Sequence, residues 1–430
     1  MTSLILGVIA DDFTGATDMG SMLARGGMRV VQTIGVPTPE TLAGLDAHAV
    51  IVALKSRSIP ASDAIEQSMA ACRALQDAGA KQIYFKYCST FDSTPDGNIG
   101  PVAEALATHL GATSIPYVPS LPENGRSVFH GHMFVFDELL SESGMKDHPL
   151  NPMTDSNLVR WLARQTKGGV GLLPVAVIDQ GAAAVQAHCA ALAAKGEPHI
   201  IADTVRDADF GVMADAFIDN PLITGGSGLA TALAKRHGGD TDVASATALA
   251  PAAGSRLILA GSASTMTLTQ IDDFIAKGGA AKRIDPRDLA QNSNLVAATI
   301  DWARSQPDDS PVMVYGSGDP EQVRAAQDAL GRDKAGRDKA GALLEHALSD
   351  IAVALHKDGA RRIIVAGGET SGAVVSALEV KALRIGPEIG PGVPWTEALD
   401  AAGQSLGHMA LKSGNFGAAD FFTGAFKTLE

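Results

Sequence analysis

The chain has 430 residues, 46% of them hydrophobic and 19% charged, which is enough apolar material for two cores and too much for a disordered chain. Its net charge of −14 and pI near 5.2 do not suit nucleic acid or an anionic membrane as partner, so any phosphate or carboxylate site must be basic locally or built from backbone N–H groups. Three widely spaced cysteines, Cys72, Cys88 and Cys189, form neither a disulfide framework nor a zinc motif and point to a reduced, cytoplasmic setting.

The first apolar run, residues 4–9, reads as a buried strand; an export leader needs a basic start and a longer apolar core. No run approaches the ~20 apolar residues of a bilayer span. Residues 17–25 read as a helix stopped by Gly26-Gly27, and Val30–Ile34 and 49–54 as strands. Residues 63–78 read as a helix, Gln82–Lys86 as a strand and Ile99–Leu110 as a helix ended by Gly111. This alternation predicts βαβ units and a mainly parallel sheet. Residues 119–157, rich in Pro, His, Gly and Asn, read as a long irregular segment of the kind that carries function. The α/β pattern resumes with 173–178, a helix over 182–194, and 222–224.

The polar, then Ala/Gly-rich stretch 237–254 reads as a boundary between an N-terminal domain, 1–245, and a C-terminal domain, 255–430. The second domain has predicted strands at 257–260, Val312–Tyr315, 363–366 and 409–411. Residues 331–340 read Gly-Arg-Asp-Lys-Ala twice in tandem, too short a period for a solenoid. The expected architecture is two α/β domains with mainly parallel sheets and a cleft between them.

Ala10-Asp11-Asp12-Phe13-Thr14-Gly15-Ala16-Thr17-Asp18 directly follows the first strand. Ligands of parallel α/β sheets sit at strand carboxyl ends, and a helix opening there offers free N–H groups. One capping Asp is ordinary; two, with Thr14, suggest a site. The second loop, Lys86-Tyr87-Cys88-Ser89-Thr90-Phe91-Asp92-Ser93-Thr94-Pro95-Asp96-Gly97-Asn98, combines a cation, hydroxyls and carboxylates, as a polyol pocket requires. Arg57 follows a neighbouring strand and with Lys86 would clamp a substrate carboxylate. His130 and His132, in His-Gly-His, are weak as a metal pair and better read as donors to substrate hydroxyls.

The second domain has four strand-to-helix turns rich in Gly and small hydroxyl residues: Gly261-Ser262-Ala263-Ser264, Gly316-Ser317-Gly318-Asp319, Gly367-Gly368-Glu369-Thr370-Ser371-Gly372 and Lys412-Ser413-Gly414-Asn415-Phe416-Gly417. Four such turns suit a polyphosphate. There is no P-loop sequence and no complete Gly-x-Gly-x-x-Gly after a strand. Residues 385–395, punctuated by Pro387, Pro391, Pro394 and by Gly386, Gly390 and Gly392, are expected to be a stiff loop, neither helix nor central strand.

These segments, in this order, resemble the four-carbon acid sugar kinase family over almost the whole chain. The anchors are the opening Ala-Asp-Asp-Phe-Thr-Gly-Ala-Thr-Asp, Asp92-Ser93-Thr94 with Gly97-Asn98-Ile99-Gly100, Gly367 to Gly372, Gly386-Pro387-Glu388-Ile389 and Ser413 to Gly417. The resemblance implies phosphorylation of a terminal hydroxyl by ATP. Within the family, Cys88 to Pro95 and residues 145–153 look most like members that act on 3-oxo-tetronate at C4. Threonate and erythronate kinases tend to carry Leu-Arg-Gly where Pro95-Asp96-Gly97 stands here; they remain the alternative.

The resulting site places Asp12 as proton acceptor with Asp92 as second choice, and Asp11, Thr14, Arg57, Lys86, Ser89, Ser93, Asn98, His130 and His132 around the acid. ATP with Mg2+ would contact Ser262, Ser264, Gly316, Gly367, Gly368, Glu369, Thr370 and Gly414, and closure of the domains would exclude water. A homodimer stays open. The rivals are an NAD-dependent hydroxy-acid dehydrogenase, which lacks its fingerprint here, and a non-catalytic sugar-acid binding protein.

Overall fold

The computed structural model describes residues 4–147, 151–238, 242–316, 318 and 334–429, and divides into two compact units, Met1–Thr247 and Ala248–Glu430. In the first unit the strands are β1 (Leu6–Ala10), β2 (Val30–Ile34), β3 (Ala49–Ala53), β4 (Gln82–Lys86), β5 (Ile115–Val118), β6 (Arg126–Phe129), β7 (His132–Val135), β8 (Glu138–Leu139), β9 (Val170–Leu173), β10 (His199–Ala202) and β11 (Leu222–Gly225). The main sheet has the order β2-β3-β1-β4-β11-β5-β10-β9, and every pairing is parallel. All five residues of β1, of β3 and of β4 are buried, which is why β1 and β3 appear as unbroken apolar runs and β4 as an apolar centre between Gln82 and Lys86. β1 lies between β3 and β4, so connections leave it on both sides and open a crevice at its carboxyl end.

Local chemistry accounts for three departures from the sequence reading. The first helix spans Phe13–Arg25, starting four residues before position 17, because Asp12 caps it. The apolar run 173–178 is not one strand: Pro174 ends β9 and becomes the N-cap of a short helix, Val175–Ile178. Residues 119–157 are not wholly irregular; β6, β7 and β8 form a small antiparallel sheet, tied down by bridges from Val128 to Thr204 and from His132 to Asn157. Strands of four, four and two residues are too short to show a period-two signal.

The second unit contains β12 (Ser255–Ala260), β13 (Ala280–Arg283), β14 (Val312–Tyr315), β15 (Ala360–Ala366), β16 (Ala382–Gly390), β17 (Val393–Leu399) and β18 (Ser405–Lys412), ordered β13-β14-β12-β15-β18-β17-β16. The first five in that order run parallel; β17 and β16 add antiparallel pairs. Residues 385–395 are therefore strand and hairpin, not a loop, and β17 has a neighbour on each side. Pro387 is tolerated because it falls where the β16–β17 register shifts, between Ile385 and Glu388, so the ladder needs no N–H from it. The core of this unit packs Trp395 with Phe274, Phe421, Phe422 and Phe426, and the Trp395 indole donates to the Ala425 carbonyl at 2.9 Å.

Residues 148–150 of the 145–153 segment, residues 331–333 at the start of the tandem repeat, and Ser317 and Asp319 lie outside the described residues. The rest of the repeat falls in the helix Lys334–Lys357.

Candidate active site

At the carboxyl end of β1, Arg57 draws both aspartates into one cluster. Its Nε and Nη2 bind Asp11 Oδ2 and Oδ1 at 2.9 and 2.7 Å, and Nη2 also reaches Asp12 Oδ1 at 2.8 Å. The fork assigned to a substrate carboxylate is thus committed to Asp11, a correction to the clamp expected from sequence; only Nη1 lies outside these bonds. Asp12 caps the helix by accepting from Gly15 N at 3.1 Å, and its Oδ2 accepts from the Thr14 hydroxyl at 2.9 Å. A Cβ on Gly15 would lie 2.2 Å from Asp12 Oδ1 and 3.1 Å from Lys86 Nζ, so glycine is required for the close approach. Lys86, opposite Ala10 in the β1–β4 register, is buried and donates to the Tyr87 carbonyl at 2.9 Å.

The two aspartates differ. Burial lifts the Asp11 carboxyl against the pull of Arg57. Burial also acts upward on Asp12, but Arg57, Lys86, the Thr14 hydroxyl and the Gly15 N–H together hold it below the ordinary carboxylate range. The Asp12 side chain is 28% exposed and that of Asp11 5%, so Asp12 is the one that meets solvent or a ligand. In the next loop Thr90 Oγ1 donates to Asp92 Oδ1 at 2.6 Å and contacts Cys88 Sγ at 2.9 Å. Burial and then the charge of Asp92 push the Cys88 thiol up to about 12, which makes it an inert neutral group.

Several residues expected to face substrate instead build the scaffold. Ser93 is buried, donates to Phe91 O at 3.0 Å, and accepts from Trp161 Nε1 at 3.1 Å and Gln165 Nε2 at 2.9 Å. Asn98 Nδ2 reaches the carbonyls of Ser56, Arg57 and Ile59 at 2.8, 3.3 and 2.9 Å, which holds the loop that carries Arg57. Ser89 is half-buried and lies against Gly226 at the end of β11. His130 and His132 belong to the β6–β7 hairpin, not to the aspartate cluster. The His130 N–H is held by Asp203, just beyond β10, at 3.0 Å; β10 lies four strands from β1, ~19 Å at ~4.8 Å per strand. The sequence reading missed Asp203, which is fully buried and also accepts from Gly131 N and Val175 N.

In the second unit the registers align the ends of three neighbouring strands: Ala260 opposite Ala366, and Ala366 opposite Lys412. The turns that follow interlock. A Cβ on Gly261 would lie 2.1 Å from Thr370 Oγ1; on Gly414, 2.3 Å from Ser262 Oγ and 2.8 Å from Ser264 Oγ. Ser264 caps the helix Thr265–Ala276 by accepting from Thr267 N at 3.2 Å, and Ser262 Oγ accepts from Ser264 N at 3.2 Å. The helix Gly368–Ala377 begins after Gly367, which has φ +124° and no capping side chain, so the N–H groups of Gly368, Glu369 and Thr370 form an anion-ready helix start. Gly316 is different: a Cβ there would strike Leu344 at 2.2 Å, so its smallness serves packing.

Lys412 opens the fourth turn, and sequence reasoning gave it no role of its own, although it closes a strand just as Lys86 does. It is fully buried, and its Nζ reaches Thr267 Oγ1 at 3.2 Å and the carbonyls of Ser413, Gly414 and Phe416 at 3.1, 2.9 and 3.1 Å. Burial brings its pKa down to about 7. Among the described residues no group of three His, Cys, Asp or Glu could cage a metal, and no helix is long and apolar enough to cross a membrane.

A family model for a sugar-binding N-terminal domain matches residues 6–233, and one for a nucleotide-binding C-terminal domain matches residues 257–422. A 3-oxo-tetronate kinase of Pseudomonas fluorescens is 51% identical over 427 residues, covering 99% of this chain and 97% of that protein. One of Burkholderia multivorans is 49% identical over 429 residues, with the same coverage of 99% and 97%. Among solved structures, a Haemophilus influenzae protein is 41% identical with a TM-score of 0.81, covering 99% of this chain and 100% of that one. A Salmonella typhimurium LT2 protein is 40% identical with a TM-score of 0.88, covering 99% of each. An aspartate–arginine cluster in the matched sugar-binding region, a set of interlocked glycine turns in the matched nucleotide-binding region, and this near-full-length likeness agree: the chain belongs to the four-carbon acid sugar kinase family.

Proposed function

We propose that this kinase transfers the γ-phosphoryl group of ATP to the C4 hydroxyl of 3-oxo-tetronate, in the cytoplasm and with Mg2+. What supports the substrate is the near-full-length identity, about half of all positions, to relatives named for that activity. Asp12 is the acceptor of the hydroxyl proton. Its Oδ1 already receives Arg57 and Gly15, but Oδ2 receives only Thr14 in these bonds and keeps a lone pair. A weakly basic carboxylate suffices, because phosphoryl transfer through a loose transition state depends chiefly on alignment and charge neutralisation. Asp92 is the second candidate, with one oxygen engaged by Thr90.

Lys86 and the Nη1 side of Arg57 supply the positive charge for the acid's carboxylate. The triphosphate rests on the N–H groups of Gly368, Glu369 and Thr370, where a Cβ on Gly368 would meet nothing within 4 Å, beside the interlocked turns of Ser262, Ser264 and Gly414. Mg2+ needs few protein ligands when phosphates and waters complete its shell, which fits a nucleotide unit without a three-ligand cage among the described residues; Glu369 is the carboxylate placed to contribute. When bound, the metal neutralises charge on the β- and γ-phosphates.

ADP release tests the proposal directly. With 3-oxo-tetronate, threonate and erythronate offered separately, kcat/KM for 3-oxo-tetronate should exceed the others by at least about 100-fold, since a site built for a carbonyl leaves polar groups unpaired with the alcohol. Equal or reversed preference would assign the chain another acid.

A further inference from the structure

Lys412 has an environment unlike that of an ordinary buried lysine. Four oxygens surround its Nζ, all within 3.2 Å: Thr267 Oγ1 and the carbonyls of Ser413, Gly414 and Phe416. None is a carboxylate. The ring of Phe422 lies on another side, with Nζ 5.9 Å from its centroid. The charged groups on the elements around the turn are Asp272 and Asp273 on the helix Thr265–Ala276, Glu369 on the helix Gly368–Ala377, and Asp420 before the helix Phe421–Gly424. None of these is among the groups that bond Lys412, and Asp273 is bonded to Lys277 and Thr423. A charge buried without a counterion is costly, and such a charge is normally neutralised or paired.

The same lysine fixes the direction of the peptides after β18. By gathering the carbonyls of Ser413, Gly414 and Phe416 inward, it turns that loop's other face toward the Ser262–Ser264 turn, against which Gly414 sits too closely to carry a side chain. Gln270 Nε2 extends the arrangement by binding Phe416 O at 3.0 Å and Ala418 O at 2.9 Å. One lysine therefore supports the third of the three turns assigned to the triphosphate.

We infer that Lys412 is a positioning residue for the nucleotide, whose missing counterion is the phosphate chain of ATP, so that ATP binding draws a proton onto the enzyme. This rests on the nucleotide assignment made above. Without nucleotide, burial brings the Lys412 pKa down to about 7. An anion on the far side of the loop favours the charged form and raises that pKa. The sign follows: at pH 6 Lys412 is already charged and binding takes up little; above pH 7 it is largely neutral and binding takes up a proton. ATP affinity therefore falls as pH rises from about 6.5 to 8.5.

Titration calorimetry of the intact enzyme with a non-hydrolysable ATP analogue and Mg2+, in buffers of different ionisation enthalpy, reads the proton count. The expected uptake at pH 7.5 to 8 is about 0.5 to 0.8 proton per nucleotide, shrinking toward zero at pH 6. In Lys412→Met this uptake disappears and the analogue binds at least about tenfold more weakly, while the KM for the acid changes little. Tight binding with no lysine-dependent uptake, or an unchanged pH profile in Lys412→Met, overturns the role given to Lys412 and leaves the nucleotide site standing. If Lys412→Met does not fold, wild-type binding that takes up no proton at pH 8 overturns it alone. Failure of the wild type to bind the analogue at all would instead remove the nucleotide assignment.

Discussion

Asp12 combines two duties that a single short side chain can perform only at a strand-to-helix turn. It caps the helix Phe13–Arg25 through Gly15 N and it presents the more exposed carboxylate of the cluster. Asn keeps the cap, because its amide oxygen still accepts from Gly15, but it loses the proton acceptor. Asp12→Asn is expected to lower kcat by about 100- to 10,000-fold with the KM for ATP nearly unchanged, measured by ADP release. A loss under about tenfold would move the base elsewhere, Asp92 first. Arg57 carries a separate prediction. Arg57→Met leaves the buried Asp11 and its neighbour Asp12 without their shared cation and should cost about 3 kcal/mol or more of unfolding free energy in a denaturant titration. Adding Asp11→Asn should restore part of that loss. A cost below about 1 kcal/mol for Arg57→Met would mean the ion pair adds little, as exposed pairs do.

At the scale of elements, the second unit's turns matter as a set. Register places the ends of β12, β15 and β18 side by side, and glycine allows the turns to touch. Gly414→Ala puts a methyl 2.3 Å from Ser262 Oγ, so two turns must separate. The expected result is a KM for ATP raised at least about tenfold with the KM for the acid unchanged; unaltered ATP kinetics would remove Gly414 from the nucleotide surface.

The elements also show what a sequence can and cannot reveal. Strands β1 and β3 were legible because burial on both faces leaves apolar runs with no polar interruption, and β4 by its apolar centre, Ile83 to Phe85. The motif at Asp11–Asp12 was legible because it follows such a strand. Ser93 and Asn98 were misassigned for an equally physical reason: a hydroxyl or amide in a polar loop looks the same whether its partner is a substrate or a distant part of the chain. Their partners, Trp161 and Gln165 for one and Ser56, Arg57 and Ile59 for the other, lie about 40 to 70 positions away and are visible only after folding. The hairpin at 385–395 was hidden because proline argues against a strand unless register shifts, which composition does not encode, remove the need for its N–H.

For the molecule as a whole, the two matched regions divide the chemistry. The sugar-binding region contains the Asp12, Arg57 and Lys86 cluster, and the nucleotide-binding region contains the interlocked turns and Lys412. The proposed transfer needs both: a carboxylate for the hydroxyl proton from the first and a phosphate cradle from the second. The central claim is therefore about one bond, between the γ-phosphorus of ATP and the terminal oxygen of a four-carbon acid. NMR of the product formed from ATP and 3-oxo-tetronate tests it most directly, through coupling between phosphorus and the carbon-bound protons. The expected result is a phosphorus signal coupled to the two C4 protons, growing in step with ADP. Phosphorus coupled to the C2 proton instead, or ADP formed with only free phosphate, would contradict it.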